Sequence, residues 1–399
     1  MRIAIVVQGR FHAFDLVRAL LRRGVDVVVF TNYPAWAVAR FEVGPEHVRS
    51  FALHGVLARA LGWLSSKTGW SFESRLHPLF GRWAARALGH QHWDVIHAWT
   101  GVSEEIYSDP RFRHSLKLVM RGSAHIRTQA QLLGDEQLRV GGPVDHPSPW
   151  MIAREQREYQ LADRIVVLST FAYQSFVAED IRPEKLRFLP LGTETSAFRP
   201  VSAVADARRA RVLSGARLRV LYVGGISWRK GFADLREIVR QVAGQFEFRF
   251  VGPVWPEARD AVAAIEKQAE FINKKPQSEL PAEYAWGDVF IFPTIEDGYA
   301  VVVAQASAAG LPILTTPNCC GPDLIQEGRT GWILPIRDSR AFIARLQWCD
   351  THREDLADIA DACYGDFRTR DWDDVAADFE SICADGIRDY SDERQQSHV

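Results

Sequence analysis

Asp297 and Gln305 stand eight positions apart in FIFPTIEDGYAVVVAQASAAGLPILTTPNCCG, residues 290–321. The segment reads as an apolar strand ending at Pro293, a carboxylate loop, a helix closed by Gly310, and a second apolar strand after Pro312. Gly298 frees the backbone so that the amides of Tyr299 and Ala300 open the helix. Helix-opening N–H groups lack intrahelical acceptors and lie at the positive end of the dipole, so they form an anion site. Eight residues reach about 12 Å along a helix. That reach suits a sugar joined to a nucleoside through a diphosphate, with the sugar at Asp297, the diphosphate over the amides and the ribose at Gln305. Glu296 competes with Asp297 for the sugar-facing position, and a capped helix in a plain strand-helix-strand unit is the alternative for the segment taken alone.

A second segment, LRVLYVGGISWRKGF at 218–232, is a strand, a Gly-Gly turn, and the basic pair Arg229 and Lys230 before a helical run. Alone, such a pair reads more often as a solvated helix start. Together the two segments resemble the signature of the family 4 retaining glycosyltransferases, also called glycosyl transferases group 1, which have the GT-B fold. In that family two glutamates bracket the helix, and a lysine at the position of Lys230 pairs with the donor diphosphate. Here the pair is Asp297 and Gln305; a glutamine still bonds ribose hydroxyls, without the strength a charged acceptor adds. Many members carry an arginine where this chain has Gly225, and Arg229 is positioned in sequence to replace that charge. The resemblance implies catalytic roles for Lys230, Arg229, Asp297 and His125, and donor binding by Gly225, Glu296, Gly298, Tyr299, Ala300 and Gln305.

The N-terminal half offers fewer candidates. Its first strand runs into QGRFHAFDLVRALLRRG, whose single Gly9 before the helix excludes the GxGxxG of a dinucleotide binder. The resemblance places this loop at the cleft and nominates Gly9, Arg10 and His12; a solvent-facing helix start is the plain reading of His12. RGSAHIRTQ, residues 121–129, follows a strand and sets Ser123 and His125 where a βα loop meets a cleft. The likeness continues through REQREYQLADRIVVLSTFAYQSF.

These residues need a scaffold, and the chain supplies alternating apolar runs and helical patterns. RIAIVV, VDVVVFT, DVIHAW, LKLVMRG, RIVVLS and LRFLPLG precede RVLYVGG, FEFRFVG, DVFIFP, LPILTT and GWILP. Such alternation predicts α/β architecture with parallel sheets. At 399 residues the chain exceeds the roughly 250–300 at which one core stops growing, so two domains are expected. PLGTETSAFRP, 190–200, reads as the hinge between a Rossmann-like acceptor domain at 1–192 and a Rossmann-like donor domain at 193–367, doubly wound and facing a central cleft. The resemblance sends the tail helix, within 368–399, back onto the N-terminal domain. Asp371 and Asp373 spell an Asp-x-Asp metal motif, but at the opening of a helix, where acids favour the dipole. No metal is expected.

Composition excludes several classes. The net charge of −2 is far from that of a nucleic-acid binder. Residues 1–199 hold 25 basic against 19 acidic residues and the remainder 23 against 31, an asymmetry that suits an N-terminal half facing an anionic acceptor or membrane surface. No apolar run reaches the roughly 18 residues of a membrane span, and the N-terminus does not read as a signal peptide. The five cysteines all follow residue 318, lack zinc spacing and read as reduced thiols. Residues 54–92, with Trp63, Trp70, Trp83, Arg75, Arg82 and Arg86, read either as ordinary covering helices or as an interfacial surface for a lipid-linked acceptor.

The resemblance implies transfer of a hexosyl group, with no bound cofactor, from a nucleotide sugar such as a UDP- or GDP-hexose to a saccharide or lipid-linked acceptor in surface polysaccharide or glycoconjugate assembly. The expected setting is cytoplasmic, with peripheral contact at the inner membrane face as an open variant. Two rivals stand: a nucleotide-sugar epimerase of the same fold, and a non-catalytic GT-B sugar-binding or scaffold protein.

Overall fold

The computed structural model describes residues 1–396. Seven strands form the first sheet: β1 (Arg2–Val7), β2 (Asp26–Thr31), β3 (Val48–Ser50), β4 (Val95–Trp99), β5 (Leu116–Met120), β6 (Arg164–Val167) and β7 (Leu186–Phe188). Their spatial order is β3-β2-β1-β4-β5-β6-β7, and every pair is parallel. The second sheet holds β8 (Arg219–Val223), β9 (Glu247–Val251), β10 (Glu270–Ile272), β11 (Val289–Phe292), β12 (Ile313–Thr315) and β13 (Gly331–Ile333), in the order β10-β9-β8-β11-β12-β13. Central parallel strands are covered on both faces, which is why β1, β4 and β11 read as unbroken apolar runs and bury nearly every side chain. Of the four three-residue edge strands, β3, β7, β10 and β13, β3 and β10 carry no such run and escape the sequence pattern.

Each sheet reverses its winding direction once, between β1 and β4 in the first and between β8 and β11 in the second. Clefts of doubly wound sheets open beyond the carboxyl ends of the strands at such switch points. The loops after β1, β4, β5, β8 and β11 all supply walls of one cavity of about 720 Å³.

The chain crosses between the two domains twice, and the crossings run side by side. Thr193 donates its N–H to the Arg370 carbonyl at 2.9 Å, and the Arg370 guanidinium bonds the Pro190 carbonyl at 3.1 Å. A Cβ at Gly192 would lie 2.3 Å from the Asp371 carbonyl oxygen, so glycine is needed where the crossings touch. The final helix, Trp372–Gln396, then packs on the first domain through Val375, Phe379 and Cys383. Arg22 to Asp373, Arg23 to Glu380 and Arg164 to Asp389 join its polar side to the same domain. Asp371 accepts the N–H groups of Asp373 and Asp374 as a helix cap, so both acids of the Asp-x-Asp are occupied in holding the tail. Among the described residues no helix is long and apolar enough to cross a membrane.

Candidate functional site

β8 leads through Gly224 and Gly225 into the single 3-10 turn Trp228–Lys230, ahead of the helix Phe232–Val242. Gly231 follows at φ 76°, and a Cβ there would come within 1.8 Å of the Pro293 carbonyl oxygen. This approach brings Arg229 and Lys230 against the loop after β11. Ile295 donates its N–H to the Arg229 carbonyl at 3.0 Å, which fixes the two loops together.

Within that loop Asp297 folds back on its own chain. One carboxylate oxygen accepts the N–H groups of Tyr299 at 3.1 Å and Ala300 at 2.9 Å, while the other pairs with the Lys230 ammonium. The helix therefore begins at Val301, two residues later than the sequence suggests, with Ala300 as its cap in the left-handed region at φ 64°. The reason is side-chain length: an aspartate is short enough to cap the turn that follows it. Burial pushes the Asp297 pKa up, but Lys230 and Arg229, with the bonds to this carboxylate, outweigh it and hold the group below its ordinary range. The amides of Tyr299 and Ala300, assigned from the sequence to the donor diphosphate, are occupied by this internal anion.

Glu296 has a different environment. It is 0% exposed and pairs with Arg229 at 2.7 Å, while accepting the Ala124 N–H at 3.1 Å and the Gln129 amide at 2.9 Å. Ala124 and Gln129 belong to the first domain, so Glu296 bolts the two domains together beneath the cleft. Its pKa is pushed up by burial and pulled further down by Arg229 and Lys230, leaving it low. Arg229 also donates to the Ser123 hydroxyl at 3.0 Å. The domains meet so closely here that a Cβ at Gly298 would stand 2.1 Å from the Gly122 carbonyl oxygen.

Lys230, Arg229, Asp297, Gly225, Tyr299, Ala300, Ser123 and His12 all line the one cavity. Val301 and Val302 join them, and their first-turn amides have no intrahelical acceptor. Gly9, at φ 107°, shapes the loop from behind, its N–H bonded to the Asn32 side chain at 2.8 Å. His12 lies between Trp99 and Trp372, and burial lowers its pKa to about 4, so the ring is neutral at pH 7.

Three candidates are turned elsewhere. Gln305 is 3% exposed and accepts the Tyr284 hydroxyl at 3.0 Å, away from the cavity lining. Arg10 lies over the Phe41 ring, 4.1 Å from its centre, and reaches Asp15. His125 caps the helix Ile126–Val140 by accepting the Arg127 N–H, and its ring packs on Tyr159 and Phe176. Burial takes its pKa to about 4. Gly225 faces the cavity with the Trp255 indole beside it: an added Cβ would sit 2.7 Å from Nε1, so any larger residue here requires the half-exposed indole to shift.

The cavity also takes in residues that spacing did not nominate. Glu73 and His77 occupy successive turns of one helix face, Phe11 sits exposed between the nominated Arg10 and His12, and Arg121, Gln129 and Glu155 come from the same wall as Ser123. Glu73 and His77 at i, i+4 were the one legible signal.

The model of the Glycosyltransferase Family 4 domain matches residues 10–197, and that of Glycosyl transferases group 1 matches residues 217–350, together most of the chain. The chain belongs to glycosyltransferase family 4. It is similar to the putative colanic acid biosynthesis glycosyltransferase WcaL of Salmonella typhimurium, 29% identical over 41% of this chain and 42% of that protein. The amylovoran biosynthesis glycosyltransferase AmsK of Erwinia amylovora is 25% identical over 55% of this chain and 56% of its own. The matched region thus spans about half, or less, of these relatives. The fold is that of Anabaena Alr3699/HepE, solved in complex with UDP, with a TM-score of 0.68, 13% identity and coverage of 96% and 100% of the two chains. Sucrose-phosphate synthase from Thermosynechococcus elongatus gives the same TM-score at 18% identity, covering 96% and 98%. This family 4 chain therefore has the GT-B architecture.

Proposed function

We propose that this chain transfers a hexosyl group from a nucleotide-sugar donor to a saccharide or glycolipid acceptor, with retention of configuration, in polysaccharide assembly. The observation that carries the reading is the anion-binding corner at the foot of the cleft. There Lys230 and Arg229 line the wall beside the helix start at Val301 and Val302, and a carboxylate, that of Asp297, already sits on Lys230 and on the amides of Tyr299 and Ala300. What this corner does for Asp297 it would do for a diphosphate, whose charge grows as the sugar departs. Fixed donors aimed at developing charge in a shielded cleft are an effective way to lower such a barrier. Retention without a covalent intermediate needs no second carboxylate, since the departing diphosphate takes the acceptor proton on the same face of the sugar. Glu296 is sealed by Arg229, Ala124 and Gln129, which supports Asp297 over Glu296 for the sugar-facing role, since Asp297 lines the cavity.

Colanic acid and amylovoran synthesis, named for WcaL and AmsK, support polysaccharide assembly as the setting. The crystals of HepE with UDP and with UDP-glucose support a uridine donor as the first to try. Because Lys230, Arg229 and backbone amides neutralise the diphosphate, activity is expected to persist in EDTA. A second reading, donor binding without turnover, is favoured by the position of Gln305 on Tyr284. Thermal-shift and slow-hydrolysis assays over UDP-, GDP- and ADP-sugars test both. Stabilisation with release of the nucleoside diphosphate is expected for the transferase. Stabilisation without release by any donor or acceptor identifies the binding protein, and no stabilisation by any nucleotide sugar overturns both readings.

A further inference from the structure

The helix Ala52–Thr68 is buried on the wrong side for a soluble covering helix. It seats His54 and Gly55 on the domain; a Cβ at Gly55 would stand 2.3 Å from the Asn32 carbonyl oxygen. Its opposite face carries Leu53, Val56, Leu57 and Trp63 at i, i+3, i+4 and i+10, with exposures of 74%, 61%, 41% and 66%. These spacings place the four side chains on one stripe. Trp70, also 66% exposed, follows the turn at Gly69. Single exposed apolar residues are ordinary on protein surfaces, but a contiguous ridge of Leu, Val and Trp signals a partner.

Charge decides which partner. No Asp or Glu occurs between Glu46 and Glu73, while Arg49, Arg59 and Lys67 fall in that interval. The next helix, Glu73–Leu88, turns Arg75, Leu79, Arg82 and Arg86 outward at spacings of four, three and four, a single basic stripe. Its one acid, Glu73, lines the cavity and accepts the Ser148 hydroxyl, and pairs with none of these cations. Among the described residues none of these six cations pairs with a carboxylate, whereas Arg18, Arg22, Arg23, Arg154 and Arg157 of the same domain all do. An apolar ridge flanked by uncompensated cations matches a bilayer of anionic lipids. Leu and Val enter the acyl boundary, Trp lies at headgroup level, and Lys and Arg reach the phosphates.

We propose that the helices Ala52–Thr68 and Glu73–Leu88 dock this protein on an anionic lipid surface, with the cleft mouth at the membrane. The turn between them supplies Ser71, and the second helix supplies Glu73 and His77, to the cavity wall. A sugar acceptor carried on a lipid would thus enter the cleft beside the docked face; that last step rests on the transferase reading, and the docking does not.

The test is flotation of the full chain with vesicles of phosphatidylglycerol in phosphatidylethanolamine, against phosphatidylcholine alone. Wild type is expected to float with the anionic vesicles and to be released by salt. L53S/V56S/L57S and R75E/R82E/R86E are each expected to bind at least about tenfold more weakly. These positions are exposed, and circular dichroism checks that both variants are folded. The proposal is overturned if wild type stays in the lower fractions, if both variants float as wild type does, or if the apolar variant merely converts a lipid-free dimer to a monomer. Nucleotide-sugar hydrolysis in lipid-free buffer reads the donor site separately and should be equal in all three proteins. Flotation without hydrolysis upholds the docking and counts against the transferase reading alone.

Discussion

The carboxylate of Asp297 and the ammonium of Lys230 are paired at the foot of the cleft, with the second Asp297 oxygen on the amides of Tyr299 and Ala300. A phosphate group entering this corner competes with Asp297 for its donors. Asp297→Asn keeps the shape and removes the competing charge, so the bare nucleoside diphosphate is expected to bind several-fold more tightly while turnover falls. Lys230→Ala is expected to weaken the same ligand and to lower turnover by about 100-fold. Calorimetry with the diphosphate decides the matter: if both variants weaken it equally, Asp297 is a ligand of the diphosphate site and not a stand-in for its occupant.

Gly298 marks where the two domains touch. An alanine methyl would fall 2.1 Å from the Gly122 carbonyl oxygen, backbone against backbone, where no side chain can swing aside. Gly298→Ala is expected to hold the domains apart, giving a larger radius of gyration in small-angle scattering and loss of turnover by about tenfold or more. Each domain keeps its core, so the far-ultraviolet dichroism should not change. An unaltered radius with full activity would show that the cleft works open.

A second fastening lies at the far end of the helix Ile126–Val140. Arg139 grips Asp234 with two bonds of 2.9 and 2.7 Å, and both Arg139 and Arg337 reach Glu136. Asp234 is 3% and Glu136 0% exposed, so removing a cation strands a buried charge. Arg139→Ala is expected to cost about 2–3 kcal/mol of the closed arrangement, with faster proteolysis at the 190–200 crossing as the readout. Asp234→Asn should do less, because an amide still accepts from Arg139.

Buried histidines set the acid limit of stability. Desolvation takes His97, enclosed by Trp99 and Phe379, down to about 3, and His125 to about 4, from 6.5. The unfolded chain binds these protons first, so stability is full above pH 6.5 and is lost as pH falls from there toward 4. Each such ring contributes about 1.4 kcal/mol per pH unit in that window. Thermal unfolding between pH 7 and pH 5 should show the decline, and His97→Phe should flatten it. A melting temperature independent of pH over that range would mean that these rings remain hydrated.

Two kinds of information separate here. Runs such as RIAIVV and DVFIFP announce parallel strands because a strand covered on both faces must be apolar throughout, and Gly224, Gly231 and Gly298 mark the close approaches around them. The edge strands β3 and β10 stay hidden because their side chains are mostly uncovered and polar or mixed, whereas β7 and β13, at the opposite edges, lie in the apolar runs LRFLPLG and GWILP. The basic pair at 229–230 and the acid at 297 were legible as candidates because chemistry and helix starts limit where such residues are useful, and the fold brings Lys230 and Asp297 together. Their partnerships were not legible. Glu296 finds Ala124 and Gln129 at separations of 172 and 167 residues, and only the docking of one domain on the other places them together. Nothing local told Gln305 to turn toward Tyr284 or His125 toward Tyr159 and Phe176. The same holds for the ridge at Leu53, Val56 and Leu57. Periodicity gives a helix an apolar stripe, but which stripe faces the core is decided by what packs beside it, and here Gly55 against the Asn32 backbone turns the apolar stripe outward.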